Sequence, residues 1–352
     1  MPMRKLERFW QTLESVSGPA AVAAEWRRLL GTEYDSVRDF LRPSARLADS
    51  YPCPDPKNVG TVHKMVAHGP DHIVGVCPDG CAPARLSRAD IVVWELDCAA
   101  WSRAVAEGLG VRYEGTGIDA LPQTLRIGTY IPYAGFRFPV YLTVRMEPDE
   151  FQHVVDGLLA RNDSPFILLA PTRDLCQSAS EELLKRRKAC FVPLCEVLVL
   201  DERGRFMLGE NLTLEGILAD FRSAVLPPAE DQSGMIFFPT PPDTRWEDVS
   251  IRFSDGYTVS VKVGGVSQVC NYTTMGMADG RNKNPTKQWE LLREFAEANG
   301  HFDWSNRKAG RAKQKQREIL AENLRAFFRI EGDPIVVDGN GWRARFAVSS
   351  RE

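Results

Sequence analysis

Residues 251–261, with the sequence IRFSDGYTVSV, alternate apolar and polar side chains on both sides of an Asp-Gly pair. Such a pair readily adopts the positive φ angles of a tight turn between antiparallel strands. The stretch therefore predicts a β-hairpin centred on Asp255-Gly256. This hairpin opens the segment that decides the expected fold of the last hundred residues.

Two helices and a second hairpin are predicted after this turn. Asn284 and Pro285 predict the start of the first helix, which Asn299-Gly300 ends. The second helix is expected over residues 308–328, with an apolar stripe near its end and charged residues opposite. Residues 334–346, PIVVDGNGWRARF, predict a closing hairpin with a Gly/Asn turn and two arginines on its return strand.

Positive charge is concentrated in this C-terminal segment. Residues 249–352 carry 17 Lys and Arg against 12 Asp and Glu, whereas residues 1–248 carry 27 against 35. The basic residues crowd between Arg307 and Arg317, where a helix start also presents unpaired backbone N–H groups to phosphate. Nucleic-acid binding depends on such a local patch, so the net charge of −3 does not exclude it.

The order of hairpin, helix, basic helix and closing hairpin resembles the winged-helix DNA-binding domain of response-regulator transcription factors. The resemblance covers residues 249–352 only and is carried by Leu291, Leu292, Phe295, Ala296, Gly300, Leu324-Arg325 and Gly341-Trp342-Arg343. It implies that the longer helix enters the major groove and the hairpin contacts the backbone. The residues expected at DNA are Arg307, Lys308, Arg311, Gln314, Lys315, Arg343 and Arg345. The upstream chain lacks an acidic receiver pocket, so phosphorelay control is not implied.

A second interpretation of the basic helix needs no DNA. Glu318 and Glu322 lie among its basic residues, so the helix face is also compatible with a simple solvated surface. The winged-helix fold serves protein contacts as well, and fold alone does not fix function.

Six Cys and His residues fall within residues 53–81. Cys77 and Cys81 flank a Pro/Gly turn, which lets two sulfurs face one metal ion. We predict a structural zinc site with Cys53, His68, Cys77 and Cys81 as ligands, although the spacing leaves open which histidine completes it. The alternative is packed thiols with exposed histidines, because the spacing is C-x3-C and only one cysteine lies upstream. The sequence contains no H-E-x-x-H pattern, so a catalytic zinc is not favoured.

The predicted fold class is a multidomain α/β protein. It comprises a helical segment (1–50), a loop-rich Cys/His module with a following helix (51–135), a central α/β layer (136–225), a Pro-rich linker (226–248) and the winged helix (249–352). Alternating strands and helices with continuously apolar strands predict the central layer. In it, Thr172 and Asp174 follow a buried strand, and we interpret them as helix N-caps rather than catalytic groups.

The expected function is a DNA-binding transcriptional regulator with an N-terminal sensing or interaction portion, for which a homodimer is a compatible assembly. A protein-interaction adaptor and an enzyme acting on nucleic acid are the alternatives. The enzyme is less favoured because the sequence lacks G-x-x-x-x-G-K-[ST], G-x-G-x-x-G and G-x-S-x-G motifs. A cytoplasmic protein without membrane contact is expected, since the cysteines are scattered and no apolar stretch is long enough to span a bilayer.

Overall fold

The computed structural model describes residues 4–55, 57–58, 60–69, 72–227, 237–303 and 311–350, with the backbone alone for residues 311 and 312. The chain divides into two compact units. The first contains Met1–Tyr130 and Phe138–Ala224, and the second contains Ile131–Arg137 and Val225–Glu352. Both α-helices and β-sheets are present, which confirms the mixed α/β class.

The first unit holds most of the secondary structure. Its helices are α1 (Glu7–Ser15), α2 (Ala23–Leu30), α3 (Tyr34–Val37), α4 (Cys98–Gly108), α5 (Pro148–Arg161), α6 (Ser178–Arg186), α7 (Leu194–Val197), α8 (Leu214–Ile217) and α9 (Ala219–Val225). Its strands are β1 (Ala20–Val22), β2 (Leu41–Leu47), β3 (Ser50–Pro52), β4 (Val62–Gly69), β5 (His72–Val76), β6 (Ala84–Leu86), β7 (Val92–Leu96), β8 (Arg112–Ile118), β9 (Leu121–Tyr130), β10 (Phe138–Thr143), β11 (Ile167–Ala170), β12 (Cys190–Pro193), β13 (Leu198–Leu200) and β14 (Phe206–Leu208).

The N-terminal helices bury Phe9, Trp10 and Trp26. The sequence predicts these helices but not the strands among them: β1, β7 and β2 form a three-stranded antiparallel sheet. In this sheet Ala20 lies opposite Glu95. The pairing joins residues far apart in the chain, and no local periodicity reports it.

The Cys/His module is a four-stranded antiparallel sheet with the order β3-β4-β5-β6, rather than a set of loops. Its strands are short, and Gly and Pro residues punctuate them, which explains the loop-like sequence. A small hydrophobic cluster of three buried side chains, Ile73, Leu86 and Ile91, accompanies it. So small a core contributes little to the stability of a module.

The central α/β layer is observed as a five-stranded sheet with the order β12-β11-β10-β9-β8. Strands β10, β11 and β12 are parallel, and α5 and α6 connect them. The hairpin of β8 and β9 extends the sheet, although the sequence predicts no strand over these residues. The apolar run over residues 190–200, which favours a single strand, is interrupted by α7.

The second unit contains the predicted hairpins. Its elements are β15 (Val249–Phe253), β16 (Thr258–Val263), β17 (Val266–Asn271), α10 (Lys287–Glu297), β18 (His301–Asp303), α11 (Arg311–Phe328), β19 (Ile335–Asp338), β20 (Gly341–Ala344) and β21 (Ala347–Ser350). Two sheets form, with the orders β17-β16-β15-β21 and β18-β20-β19. The Asp255-Gly256 turn joins β15 to β16 as predicted, and Gly339-Asn340 joins β19 to β20.

Other details of this unit differ from the expectation. Helix α10 begins at Lys287, after Thr286, and not at Asn284 and Pro285. Strand β21 pairs in parallel with β15, which places the end of the chain beside the first hairpin. The two hairpins and two helices occur in the predicted order, but the unpredicted strands β17, β18 and β21 stand among and after them. The winged-helix identification stays a prediction.

Part of the predicted linker packs into the core of the second unit. Phe238 and Trp246 are buried there against Phe328. The guanidinium of Arg329 lies 4.3 Å from the ring centroid of Phe136 and 4.4 Å from that of Phe237. These aromatic and cation–π contacts attach residues 131–137 and the end of the linker to the second unit.

None of the helices in the described ranges combines the length and the apolar character that crossing a lipid bilayer requires.

The close approach of β20 to β18 gives a test of the second sheet. A Cβ atom at Gly341 would overlap the backbone carbonyl of Phe302. We expect Gly341→Ala to lower the free energy of unfolding by about 1–3 kcal/mol, because the backbone of Phe302 cannot move aside as a flexible side chain could. Urea denaturation measures this. Gly265→Ala, where a Cβ meets no atom within 4 Å, is the control, and equal loss in both variants would contradict the observed pairing.

Candidate metal centre

Three cysteines of the first unit form a tight thiol group. The Sγ atoms of Cys53, Cys77 and Cys81 all lie within 4.8 Å of one another. The Sγ atoms of Cys53 and Cys81 are 3.7 Å apart. Cys53 and Cys77 are buried, and Cys81 is half-buried. The three cysteines predicted as ligands are therefore brought together.

Strand pairing explains why the three thiols meet. Cys53 directly follows β3, Cys77 directly follows β5, and both strands pair with β4. The ends of β3 and β5 therefore lie at the same edge of the sheet, beside the start of β4. The backbone N–H of Cys53 also donates to the carbonyl of Thr61 at 2.9 Å, which extends the β3–β4 ladder by one residue.

A tight turn brings Cys81 back to this edge. The N–H of Gly80 donates to the carbonyl of Cys77 at 3.4 Å, and Gly80 has a φ of +80°, which favours glycine. The hydroxyl of Thr61 donates to the Asp79 carboxylate at 2.7 Å and fixes the turn against the start of β4. The predicted role of the Pro/Gly turn agrees with this geometry.

The thiols of this group differ in acidity. Burial acts to raise the pKa of Cys77, but hydrogen bonds from Cys81, Asp79 and Cys53 outweigh it and lower that pKa below its ordinary value. The hydrogen bond to Cys77, together with burial, raises the pKa of Cys81 to about 11. The amide of Asn58 donates to the Cys81 sulfur at 2.6 Å.

The predicted ligand His68 lies at the other end of the hairpin. His68 precedes Gly69, which is paired with His72 across the β4–β5 turn, and the His68 and His72 rings are 5.4 Å apart. Four to five residues of strand, roughly 13–16 Å, separate this end from the thiols. Among the described residues, the thiol group contains the three cysteines and not His68, so the structure does not support His68 as the fourth ligand.

The predicted DNA-binding residues belong to the start of α11, to the segment before it and to the closing hairpin. Arg307 and Lys308 lie outside the described residues, as does the side chain of Arg311. Gln314 and Lys315 are exposed on the first turns of α11. In the closing hairpin, Arg343 forms an ion pair with Asp338 at 3.2 Å, and Arg345 forms one with Glu247 at 2.8 Å.

Two further basic residues of α11 form ion pairs with other residues of the second unit. Lys313 forms an ion pair with Glu294 and lies over the ring of Phe302. Arg317 forms an ion pair with Asp333 at 2.6 Å. Counting basic residues therefore overestimates the charge that this helix presents to solvent. Neither ion pair is predictable from the sequence, because both carboxylate partners are distant in the chain.

The loop after β11 has a different role from the one expected. Helix α6 begins at Ser178, so the prediction that Thr172 or Asp174 caps it is wrong. The Thr172 hydroxyl instead donates to the carboxylate of Glu14, and the Thr172 N–H donates to the same group at 3.1 Å. Burial raises the pKa of Glu14, although these hydrogen bonds oppose the shift.

Glu14 should therefore give the first unit a specific pH dependence. A carboxyl with a raised pKa binds its proton more tightly in the folded chain, so its contribution to stability is complete below the ordinary value of 4.5 and is lost as pH rises through the folded pKa. We expect the free energy of unfolding of the native chain, relative to Glu14→Gln, to fall over this mildly acidic range. Denaturant titrations at a series of pH values measure the difference. Glu7→Gln, an exposed change on the same helix, controls for the loss of one charge, and a pH-independent difference for Glu14→Gln would refute the expectation.

Comparisons with known proteins found no matching family, no matching curated protein and no matching solved structure. The winged-helix resemblance accordingly depends on the residue pattern of the C-terminal segment. The candidate metal centre depends on the geometry of its own thiols.

Proposed function

We propose that the first unit binds one structural zinc ion through Cys53, Cys77 and Cys81. The observation that carries this proposal is the approach of the three sulfurs to within 4.8 Å of one another. Thiolates are the preferred protein ligands of zinc, and structural sites use four ligands in a tetrahedron. Three sulfurs from two strand ends and one turn supply most of such a site.

The size of the local core supports a structural role. Among the described residues, the sheet β3-β4-β5-β6 is accompanied by the small buried cluster of Ile73, Leu86 and Ile91, against which Tyr51, Met65 and Ala84 pack partly buried. Zinc binding contributes directly to folding when the unfolded chain has no preformed site. Because the metal displaces protons from thiols, affinity should fall as the solution becomes more acidic.

The proposed zinc site has a direct test. We expect the purified native chain to hold about one equivalent of zinc. After chelation it should melt at a lower temperature, because zinc that binds only the folded state stabilises that state. Cys77→Ser should hold less than a tenth of an equivalent. Elemental analysis and thermal melts measure both quantities.

Cys98→Ser is the matched control, because Cys98 is exposed and lies outside the thiol group. It should retain its zinc. Absence of zinc from the native chain, even after refolding with zinc under reducing conditions, would favour the interpretation of packed thiols.

We also propose that the second unit binds double-stranded DNA and that the protein acts as a transcriptional regulator, in which the first unit senses a ligand or partner. The exposed Gln314 and Lys315 near the start of α11 favour this function. They lie on the helix that carries the apolar stripe of Leu320, Leu324 and Phe328, so the core holds the helix firmly while its first turns face solvent.

The hairpin arginines are compatible with this proposal. The ion pairs of Arg343 and Arg345 are partly exposed, with arginine side chains 59% and 36% accessible. Exposed ion pairs of this kind contribute about 0–1 kcal/mol, so phosphate can replace the carboxylate at little cost. The adaptor and the nucleic-acid enzyme remain the alternatives, and the DNA experiment below separates them.

Duplex DNA binding should depend steeply on salt, because basic side chains displace condensed counterions. We expect Lys315→Ala to weaken binding to a mixed duplex and to reduce the slope of log K against log salt by about one. Fluorescence anisotropy over a salt series measures both. Lys262→Ala, an exposed lysine of the same unit on β16, should leave binding nearly unchanged.

Absent or salt-insensitive binding would favour the protein-interaction adaptor. Cleavage or modification of the DNA on addition of a divalent metal ion would favour the enzyme.

A further inference from the structure

His63 is an unusual buried side chain of the same sheet. It is 0% exposed, and in the described part of the chain neither ring nitrogen has a hydrogen-bond partner. A polar group that leaves water without a compensating partner is destabilising, by about 1–3 kcal/mol in proteins. A histidine kept in such a place calls for a partner that side chains alone do not provide.

The strand register places His63 on the face that carries the thiols. His63 of β4 lies opposite Tyr51 of β3, and Cys53 is two residues beyond Tyr51. Side chains two residues apart on a strand share a face, and residues directly opposite across a ladder also share a face. His63 and Cys53 are therefore on one side of the sheet.

The second ladder leads to the same side. Lys64 of β4 lies opposite Val76 of β5. One further step along this antiparallel pair sets His63 opposite Cys77, the residue that directly follows β5. Two independent ladders thus bring His63 beside two of the three thiols, at the edge of the sheet where Cys81 returns.

A glycine makes room for the imidazole. A Cβ atom at Gly75 would lie 3.1 Å from Nδ1 of His63 and 3.2 Å from its Cβ. Contacts this short are tighter than side chains normally tolerate, so the ring occupies space that any larger residue at position 75 would take. Gly75 precedes Cys77 by two residues on β5 and borders the same group.

We propose that His63 is the fourth ligand of the metal site, which gives a Cys3His set with Cys53, Cys77 and Cys81. The inference rests on the proposed zinc binding. A neutral imidazole offers one lone pair to zinc, and coordination would provide a partner for one of its two unpartnered nitrogens. The ring nitrogens do not belong to the group of sulfurs within 4.8 Å of one another, so the proposed coordination requires the His63 side chain to rotate toward the sulfurs.

X-ray absorption at the zinc edge of the full-length, zinc-loaded protein tests the ligand set. We expect three sulfurs at about 2.3 Å and one nitrogen at about 2.0–2.1 Å, with the outer-shell scattering of an imidazole ring. His63→Ala should lose the imidazole signal. Its zinc affinity, measured by competition with a chromophoric chelator, should fall by about 100-fold or more, since loss of a mere outer-shell partner already costs 10–100-fold.

Two variants keep the test sharp. His63→Cys retains a ligand at this position and should hold zinc with four sulfurs even where His63→Ala folds poorly. His68→Ala, at the far end of the hairpin, should keep both the native spectrum and the native affinity.

A native spectrum with three sulfurs and no imidazole scattering would overturn the assignment of His63 but not the proposal that the chain binds zinc. An unchanged zinc affinity of His63→Ala would have the same meaning. Loss of the imidazole signal in His68→Ala would assign the fourth position to His68 instead. A native chain that binds no zinc would overturn the zinc proposal itself.

Discussion

The antiparallel register of β4 with its two neighbours, β3 and β5, is the constraint on which the candidate metal centre depends. It brings the residues after β3 and β5 to one edge of the sheet, and the Gly80 turn returns Cys81 to that edge. A slip of one residue in either ladder would move every side chain of the strand to the opposite face. The small core beside this sheet gives weak control of the register, so a metal at the thiols would itself hold the strands in place.

The second unit shows why the distribution of charge matters more than its amount. The segment is rich in basic residues, yet Lys313 and Arg317 form ion pairs within the unit and Arg343 and Arg345 have carboxylate partners. Among the side chains of α11 that the structure describes, Gln314 and Lys315 are exposed near the helix start. The proposed DNA binding therefore depends on these residues and on exchange of the exposed hairpin ion pairs for phosphate, and not on the whole helix.

Local signals in the sequence predicted those elements that short-range chemistry controls. The turn at Asp255-Gly256, the closing hairpin and the alternation of strands and helices around α5 and α6 were all foreseen. The pairing of β1 and β2 with β7, the β8–β9 hairpin and the parallel pairing of β21 with β15 were missed. Apart from β8–β9, these pairings join distant segments, and a short strand of three or four residues has too little periodicity to be recognised.

The sequence by itself determined which residue types can bind a metal, since Cys53 and the pair of cysteines around the Pro/Gly turn are legible without any fold. It left open which histidine would complete the proposed site, because His63, His68 and His72 all lie between Cys53 and Cys77. Only the tertiary structure separates them in space: pairing sets His63 at the edge with the thiols, and His68 and His72 at the opposite end. The physical reason is that a strand advances about 3.3 Å per residue, so the five residues from His63 to His68 carry a side chain to the other end of the hairpin.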